Sequence, residues 1–474
     1  MVSEAKPVHA ADTLLRRKII NWSSQQLGHT AYSKVKAHPA AAVFPGTSAS
    51  PAVWVDKQVH VQHRKIADSA AGLFVRMVFA ASWAPNLYST GLYALPGEYI
   101  EVTLPDSLVK RGIGVQIGIH SDNLSEGGAA TENWRRMPLV VKHAIIDKHT
   151  IRIASPFGGL IYFSSRADSS SWEGDISVSH AIEAPLYVAG VTTQQEWAQQ
   201  LQQRKAPWGE LVGNNVIVTL PDSLLQQIAA PEKVMQVWEQ IVTGEAELAQ
   251  VPLPFYRPLR MVPDVHISWG YMHSGYPIMI THSPIAQMSS AEVMMQPSLL
   301  LKPSGGGANW GFFHEIGHNL QNYDWVFDGT TEVSCNFFTL YLFDRLVGGR
   351  DSAHTDISNA YTKRAIKEYF ARGTDYELWK QEPFLGLILF RQLQEAFGWE
   401  AFKAFFRKMQ VLALANREYT DAEKRDMWAL HFSKITGFNL VPFFEKWGVP
   451  VGDTVKQQLQ QLPVWMPYNF PPLD

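Results

Sequence analysis

The period of the hydrophobic pattern changes near residue 190, and that change limits the folds open to this 474-residue chain. Between about 41 and 190 the apolar residues come in short alternating runs. They are VWVDKQVHV (Val53–Val61), YIEVTL (Tyr99–Leu104), VQIGI (Val115–Ile119), TIRIA (Thr150–Ala154) and LIYF (Leu160–Phe163). The runs are rich in β-branched and aromatic residues and are divided by Gly, Pro and Asp, a pattern of strands and turns. Pro156-Phe157-Gly158-Gly159 reads as a tight turn between two of them. Past 190 the spacing is helical in TQQEWAQQLQQRK, in SLLQQIAAPEKVMQVWEQIVTGE with Pro231 interrupting it, and in AFKAFFRKMQVLALA and DAEKRDMWALHFSKIT. The expected fold class is α+β and multidomain, an N-terminal β-sandwich followed by a mainly helical domain. The expected division is an N-terminal segment or linker over 1–40, with a short helix at 11–36, a β-sandwich over 41–190, a helical domain over 191–455 and a Pro-rich tail over 456–474. VTLPDSL occurs twice, at Val102–Leu108 and Val218–Leu224, with unlike flanks. It reads as two strands that each end in a turn starting a helix, with Asp or Ser as cap.

Composition removes several classes. Hydrophobic residues are 46% and charged residues 18%, which excludes disorder as the main state. Lys plus Arg number 41 against 44 for Asp plus Glu, without the basic excess of a general nucleic-acid binder. A single cysteine, Cys335, excludes an intramolecular disulfide and a cysteine-based metal cluster. It is expected to be a small buried residue. No run reaches the roughly 18 uncharged apolar residues of a membrane span. The most apolar stretch, Ala70 to Pro85, is interrupted by Arg76. MVSEAKPVHAADTLL at the start has no basic segment leading into an apolar one and is not a signal peptide as written. The protein is therefore expected to be cytosolic, or to be a secreted protein in its mature form.

Chemistry concentrates between Gly305 and Phe338, in GGGANWGFFHEIGHNLQNYDWVFDGTTEVSCNFF. His314 and His318 are four apart, so on a helix they project from one face and can share one metal ion. Phe312, Phe313, Ile316 and Leu320 form a stripe on the opposite face at roughly 100° per residue. Glu315 is placed to act as general base on a water activated by the metal. A catalytic zinc takes three protein ligands. The third is expected to be Glu332, 14 positions after His318 in the first turn of a second helix opened by Asp328-Gly329-Thr330. Asn336, one turn on, is expected to hydrogen-bond the free ring nitrogen of a ligating histidine, with His314 favoured. One Zn2+ per chain is the expected cofactor, since a His2Glu set of this kind prefers zinc over other divalent metals.

These residues resemble the M60-like, enhancin-type zinc metallopeptidases of the gluzincin group. HExxH followed by a glutamate is matched by His314, Glu315, His318 and Glu332, in the local forms NWG, HEIGHNLQ and TEVSCN. Further segments resemble the family's N-terminal β region (Ser89–Val102, Ser155–Phe163), the strand region before the zinc helix (Arg260–Met279) and the helical C-terminal half (Gly398–Phe406, Asn439–Val451). The resemblance implies a secreted or surface zinc endopeptidase whose partners are O-glycosylated, mucin-like proteins. It implies His314, His318 and Glu332 as zinc ligands and Glu315 as the catalyst. It also implies substrate contacts at Asn309, Trp310 and Gly311, the indole stacking on a sugar and the amide bonding its hydroxyls. Alternatives are a general zinc endopeptidase with no glycan requirement, or a non-catalytic glycan- or protein-binding module that retains the metal. Some members without the zinc motif act as binding partners; this chain keeps every motif residue. For the donor that stabilises the developing oxyanion, His273, His354, Tyr361 and Tyr369 qualify by residue type alone. Tyr271, His273, Tyr276 and Met279 read as a half-buried strand or as a lining of the cleft.

Overall fold

The computed structural model describes residues 2–48, 52–283, 290–413 and 417–471. Its contacts divide the chain into two units that interleave along the sequence. Met1–Ile66, Trp83–Glu239 and Tyr256–Pro297 form the first; Ala67–Ser82, Gln240–Phe255 and Ser298–Asp474 form the second. A single cut near 190 therefore does not separate them.

The first unit holds two sheets. Strands β1 (Trp54–His63), β2 (Asn86–Ala94), β3 (Tyr99–Thr103), β4 (Gly114–Ile117), β5 (Lys142–Ile145), β6 (Thr150–Ala154), β7 (Gly159–Ser165) and β8 (Trp172–Glu183) join in the order β5-β4-β7-β2-β8-β3-β6, with β1 also on β8. Every pair is antiparallel. The twelve-residue β8 is long enough to be shared. It pairs with β1 along its length, with β2 at Tyr93↔Ile182 and with β3 at Val102↔Val178. One ladder thus runs through β8 and joins the eight strands. Ile100, Val115, Ile117, Ile153, Ile161, Phe163, Ile176 and Val178 form one buried core. Their neighbours Tyr93, Leu160, Tyr162 and Ile182 point the other way, into a second core shared with Val262 and Met279. Burial on both faces explains why LIYF is apolar throughout.

Val262 and Met279 belong to the second sheet, which lies in the stretch expected to be mainly helical. It comprises β9 (Leu186–Val188), β10 (Trp208–Val212), β11 (Val216–Pro221), β12 (Leu259–Asp264), β13 (Met272–His273) and β14 (Ile278–Thr281), in the order β13-β14-β12-β11-β10-β9. β10 and β11 form an antiparallel pair, while β11–β12 and β12–β14 are parallel. Such short runs, buried on both faces, show no alternation and cannot be told from helix by period. Pro231 opens the helix Pro231–Ala249 instead of interrupting one, because the first turn does not use the N–H that proline lacks. Both VTLPDSL copies end a strand and enter a helical turn, but the cap positions are Pro105 and Pro221, without a side-chain bond. The N-terminal residues are docked: Val2, Val8 and Ala40 lie in the shared core, and the Arg16 guanidinium sits 4.2 Å over Trp134.

The second unit is helical. Its elements include α1 (Asp68–Arg76), the end of α2 (Pro231–Ala249), α3 (Ala308–Leu320), α4 (Thr331–Leu342), α5 (Pro383–Ala413) and α6 (Asp421–Thr436). α5 is kinked at Gly398, whose φ is 72°. An aromatic core of Trp325, Phe337, Phe402, Phe405, Phe406 and Phe432 surrounds Trp428, with Phe405 stacked on it at 3.8 Å. The apolar stretch around Arg76 belongs here. Val78 N donates to Gln321 O and Tyr323 N to Arg76 O, both just past α3. Arg76 Nε lies 2.7 and 2.8 Å from the carboxylate oxygens of the buried Asp324. In the Pro-rich tail, Phe470 packs on Phe370 and Trp447. Among the described residues no helix is long and apolar enough to cross a membrane.

Candidate metal centre

α3 starts where Gly305 and Gly306, at φ of 66° and 96°, fold the chain back along Ser352 and Ala353. Asn309 secures this entry. Its Nδ2 donates to Leu300 O (3.2 Å) and Lys302 O (2.8 Å), and its Oδ1 accepts from Ser304 Oγ (2.6 Å) and Trp310 N (3.0 Å). Every hydrogen-bonding position of the amide is used, and the residue is buried. Trp310 is buried against Phe343, His354 and Phe384. Both side chains are engaged at the helix entry. Gly311 is half-buried in the first turn of α3.

Phe312, Phe313 and Ile316 are fully buried and Leu320 nearly so, which fixes the rotation of α3 and sends His314 and His318 to the opposite side. α4 crosses at Gly317, where an added Cβ would lie 2.4 Å from Cys335 O. Only glycine allows this approach, and it brings Glu332 to the histidines. His314 Nε2 and His318 Nε2 are 3.0 Å apart. Glu332 Oε2 lies 3.1 Å from the first and 3.4 Å from the second. Cys335 Sγ is 3.5 Å from His314 Nδ1, so the one cysteine sits against the cluster, a proximity that spacing alone did not suggest. Among the described residues these four side chains form the one group of three or more whose donor atoms lie within 4.8 Å of one another. Glu315 is buried beside them on α3.

The partners of the rings fix their tautomers. Asn336 Nδ2 donates to Glu332 O (2.8 Å), so its Oδ1, 3.0 Å from His314 Nδ1, accepts from that ring. Gln321 Nε2 donates to Thr331 O (2.6 Å) and Ser334 Oγ (2.7 Å), so its Oε1 accepts from His318 Nδ1 at 2.9 Å. Nothing in the sequence marks Gln321 for this role beyond its place three residues after His318. With both Nδ1 atoms protonated, each neutral ring turns a bare Nε2 lone pair toward Glu332. Three electron-rich atoms then converge with no proton to share, an arrangement that needs a cation. In the bare cluster protons fill that need. Burial works against the charged imidazoles, but Cys335 and Glu332 outweigh it, pushing His318 up to about 10 and His314 well above its usual range. Hydrogen bonds from His314 and His318 hold the Glu332 carboxyl well below its own. A divalent ion such as zinc, bound by two imidazoles and a carboxylate, suits the donor set.

The remaining histidines and tyrosines with candidate roles differ in availability. Tyr369 is buried, and its hydroxyl donates to Trp447 O (2.7 Å) and accepts from Asp375 N (3.1 Å). His273 belongs to the first unit, in β13, where it meets Asp122 Oδ2 at 2.8 Å and Ser274 O at 2.8 Å. Met279 is fully buried in β14, and the Tyr276 hydroxyl accepts from Leu87 N. The segment from Tyr271 to Met279 thus serves a sheet. His354 packs on Trp310, one turn ahead of His314 along α3.

The chain matches the family of peptidase M60, enhancin and enhancin-like proteins over residues 180–448, and the N-terminal domain of M60-like peptidases over 67–179. TRPM8 channel-associated factor 2 of Homo sapiens is 36% identical over 382 residues, covering 80% of this chain and 39% of the relative. The chain spans about two fifths of the length of the curated relatives it matches. Among solved structures, the ZmpB metallopeptidase of Clostridium perfringens superposes with a TM-score of 0.62 at 16% identity, covering 86% of this chain and 82% of that one. IMPa of Pseudomonas aeruginosa, solved in complex with an O-glycopeptide, gives 0.60 at 15% identity, covering 88% and 52%. The metal-ready histidine pair, the glutamate that meets it and both family matches agree: the chain belongs to the peptidase M60, enhancin and enhancin-like family.

Proposed function

We propose that this protein is a zinc-dependent endopeptidase that hydrolyses peptide bonds in O-glycosylated, mucin-like proteins, and that it is secreted or held at the cell surface. The observation that carries the reading is the convergence of His314 Nε2, His318 Nε2 and Glu332 Oε2, with both imidazole tautomers set by amide partners. His314, His318 and Glu332 would hold the zinc. When bound, zinc polarises the scissile carbonyl and activates water. Glu315 takes the proton of the attacking water and returns it to the amide nitrogen as the C–N bond breaks. Asn336 and Gln321 keep the imidazoles turned inward. The choice of substrate draws on neighbours of the same fold, of which IMPa was solved with an O-glycopeptide and C. perfringens ZmpC with the sialyl T antigen.

The test is digestion of a mucin-type O-glycoprotein, intact and enzymatically deglycosylated, with new termini read by mass spectrometry. Cleavage beside glycosylated Ser or Thr, absent in Glu315→Ala protein that still holds zinc, is expected. Cleavage of both forms alike would make it a general endopeptidase. A second reading rests on the curated relatives, which are named as channel-associated factors. It takes the domain as a metal-retaining binding module and predicts capture of the glycoprotein without new termini.

A further inference from the structure

We infer that His354 is a further catalytic residue, one that donates a hydrogen bond from Nε2–H to the carbonyl oxygen of the scissile amide. The inference rests on the peptidase reading above. Four observations support it.

First, the tautomer is set. Asp356 N donates to His354 Nδ1 at 3.1 Å, so in the neutral ring the proton is on Nε2. Second, that nitrogen is available: Nε2 has no hydrogen-bond partner among the described residues, and the side chain is 20% exposed. Third, the ring cannot swing away. It lies 4.5 Å from Phe384 at an interplanar angle of 22° and 4.9 Å from Trp310. A Cβ on Gly306 would come within 2.6 Å of its Cδ2, so that glycine is what leaves room for the ring. Fourth, the ring is in the right neighbourhood. Trp310 and His314 are four apart on one face of α3, about 6 Å along its axis, and His354 packs on the Trp310 ring.

The ring is also kept neutral. Burial lowers its pKa and outweighs the pull of Asp356. A neutral donor fits the chemistry. The water oxygen bonds to the carbonyl carbon, negative charge gathers on the carbonyl oxygen, and the C–N bond breaks. Glu315 carries the water proton to the nitrogen, and His354 keeps its own throughout. A fixed donor aimed at the developing charge costs no reorganisation. Of the four residues that qualified by type, Tyr369 has its hydroxyl engaged, and His273 is bonded within the first unit.

The test uses the full chain loaded with Co2+, whose visible spectrum reports small anions at the metal. Methylphosphonate serves as the tetrahedral probe. His354→Phe removes the donor but keeps a ring between Trp310 and Phe384; His354→Gln restores an N–H. Expected in His354→Phe are unchanged Co2+ affinity, a melting temperature lowered only by the loss of the Asp356 N–H bond, and methylphosphonate binding weakened about tenfold. On an O-glycopeptide, kcat falls about 100-fold with KM nearly unchanged, and His354→Gln recovers part of both losses. Equal methylphosphonate binding by wild type and His354→Phe overturns the inference, as does wild-type protein that takes up Co2+ and binds no methylphosphonate. Should the probe respond as expected while wild type cleaves no glycopeptide or peptide, the peptidase reading fails and His354 stands as the anion donor of a non-hydrolytic site.

Discussion

Gln321→Met replaces an amide by a side chain of similar length and tests whether the metal centre depends on a residue that touches no metal. Gln321 is fully buried and makes three bonds, to His318 Nδ1, Thr331 O and Ser334 Oγ. Ser334 Oγ keeps its bond to Thr330 O, so two of the three losses fall on Thr331 O and on the ring of His318. Thr331 O retains its place in the helix ladder of α4. The full penalty therefore falls on His318 Nδ1–H, left buried without an acceptor. An orphaned buried group costs about 1–3 kcal/mol. The ring can escape only by moving its proton to Nε2 or by rotating, and either removes a ligand. The same energy is then lost from metal binding, about 5- to 150-fold in zinc affinity. The assay is competition with a fluorescent zinc chelator, alongside thermal melting of the metal-free protein. Gln321→Glu keeps an acceptor for the ring and should recover most of the affinity. Zinc affinity within about twofold of wild type in Gln321→Met, with the fold intact by circular dichroism, would refute the claim that this bond positions His318.

Three further outcomes are expected. Glu332→Ala removes one of the three converging atoms and should lower zinc retention far more than Cys335→Ser; equal metal content after dialysis against a chelator would place the third ligand elsewhere. Gly317→Ala gains about 1 kcal/mol of helix propensity, but its Cβ would stand 2.4 Å from Cys335 O. Overpacking of about 1–3 kcal/mol should outweigh the gain, so both melting temperature and zinc affinity fall; a rise in either would show that α3 and α4 do not meet this closely. In the metal-free protein His318 is raised from 6.5 to about 10. Its contribution to stability is thus full below pH 6.5 and is lost as pH climbs toward 10. Zinc binding at pH 7 should release protons, about one to two in number, measurable by calorimetry in buffers of different ionisation enthalpy; no release would contradict the convergent cluster.

The parts of this site that were legible in the sequence are those set by local period. HEIGH carries its geometry in its own spacing, and the stripe of Phe312, Phe313, Ile316 and Leu320 turns it. Glu332 and Asn336 follow from one more helix read the same way. Gln321 and Cys335 were out of reach because their contacts arise only where α4 crosses α3. Trp310 shows the converse: nothing in its spacing tells whether an indole on a helix faces a sugar or a neighbouring phenylalanine, and here it faces Phe343 and Phe384. The six-stranded sheet escaped for a related reason. Strands such as Ile278–Thr281, buried on both faces, carry no alternation to read. Arg76 looked like a flaw in an apolar stretch until its partner, Asp324, was in place.

That pair has a consequence for how the protein is made. Arg76 and Asp324 are 248 residues apart. At about 5–20 residues per second a ribosome takes about 12–50 s to travel between them. Through that interval Leu73 and Phe74 of α1, with Met77 just after it, have left the ribosome but have no Asp324 segment to join. Strands β1 to β8, all made by Glu183, can assemble meanwhile, so the nascent chain carries a finished sheet and an apolar helix still without its partner. A chaperone that holds short apolar segments would find its target there, and the protein's yield in a cell should depend on that holding step more than on the strength of its completed fold.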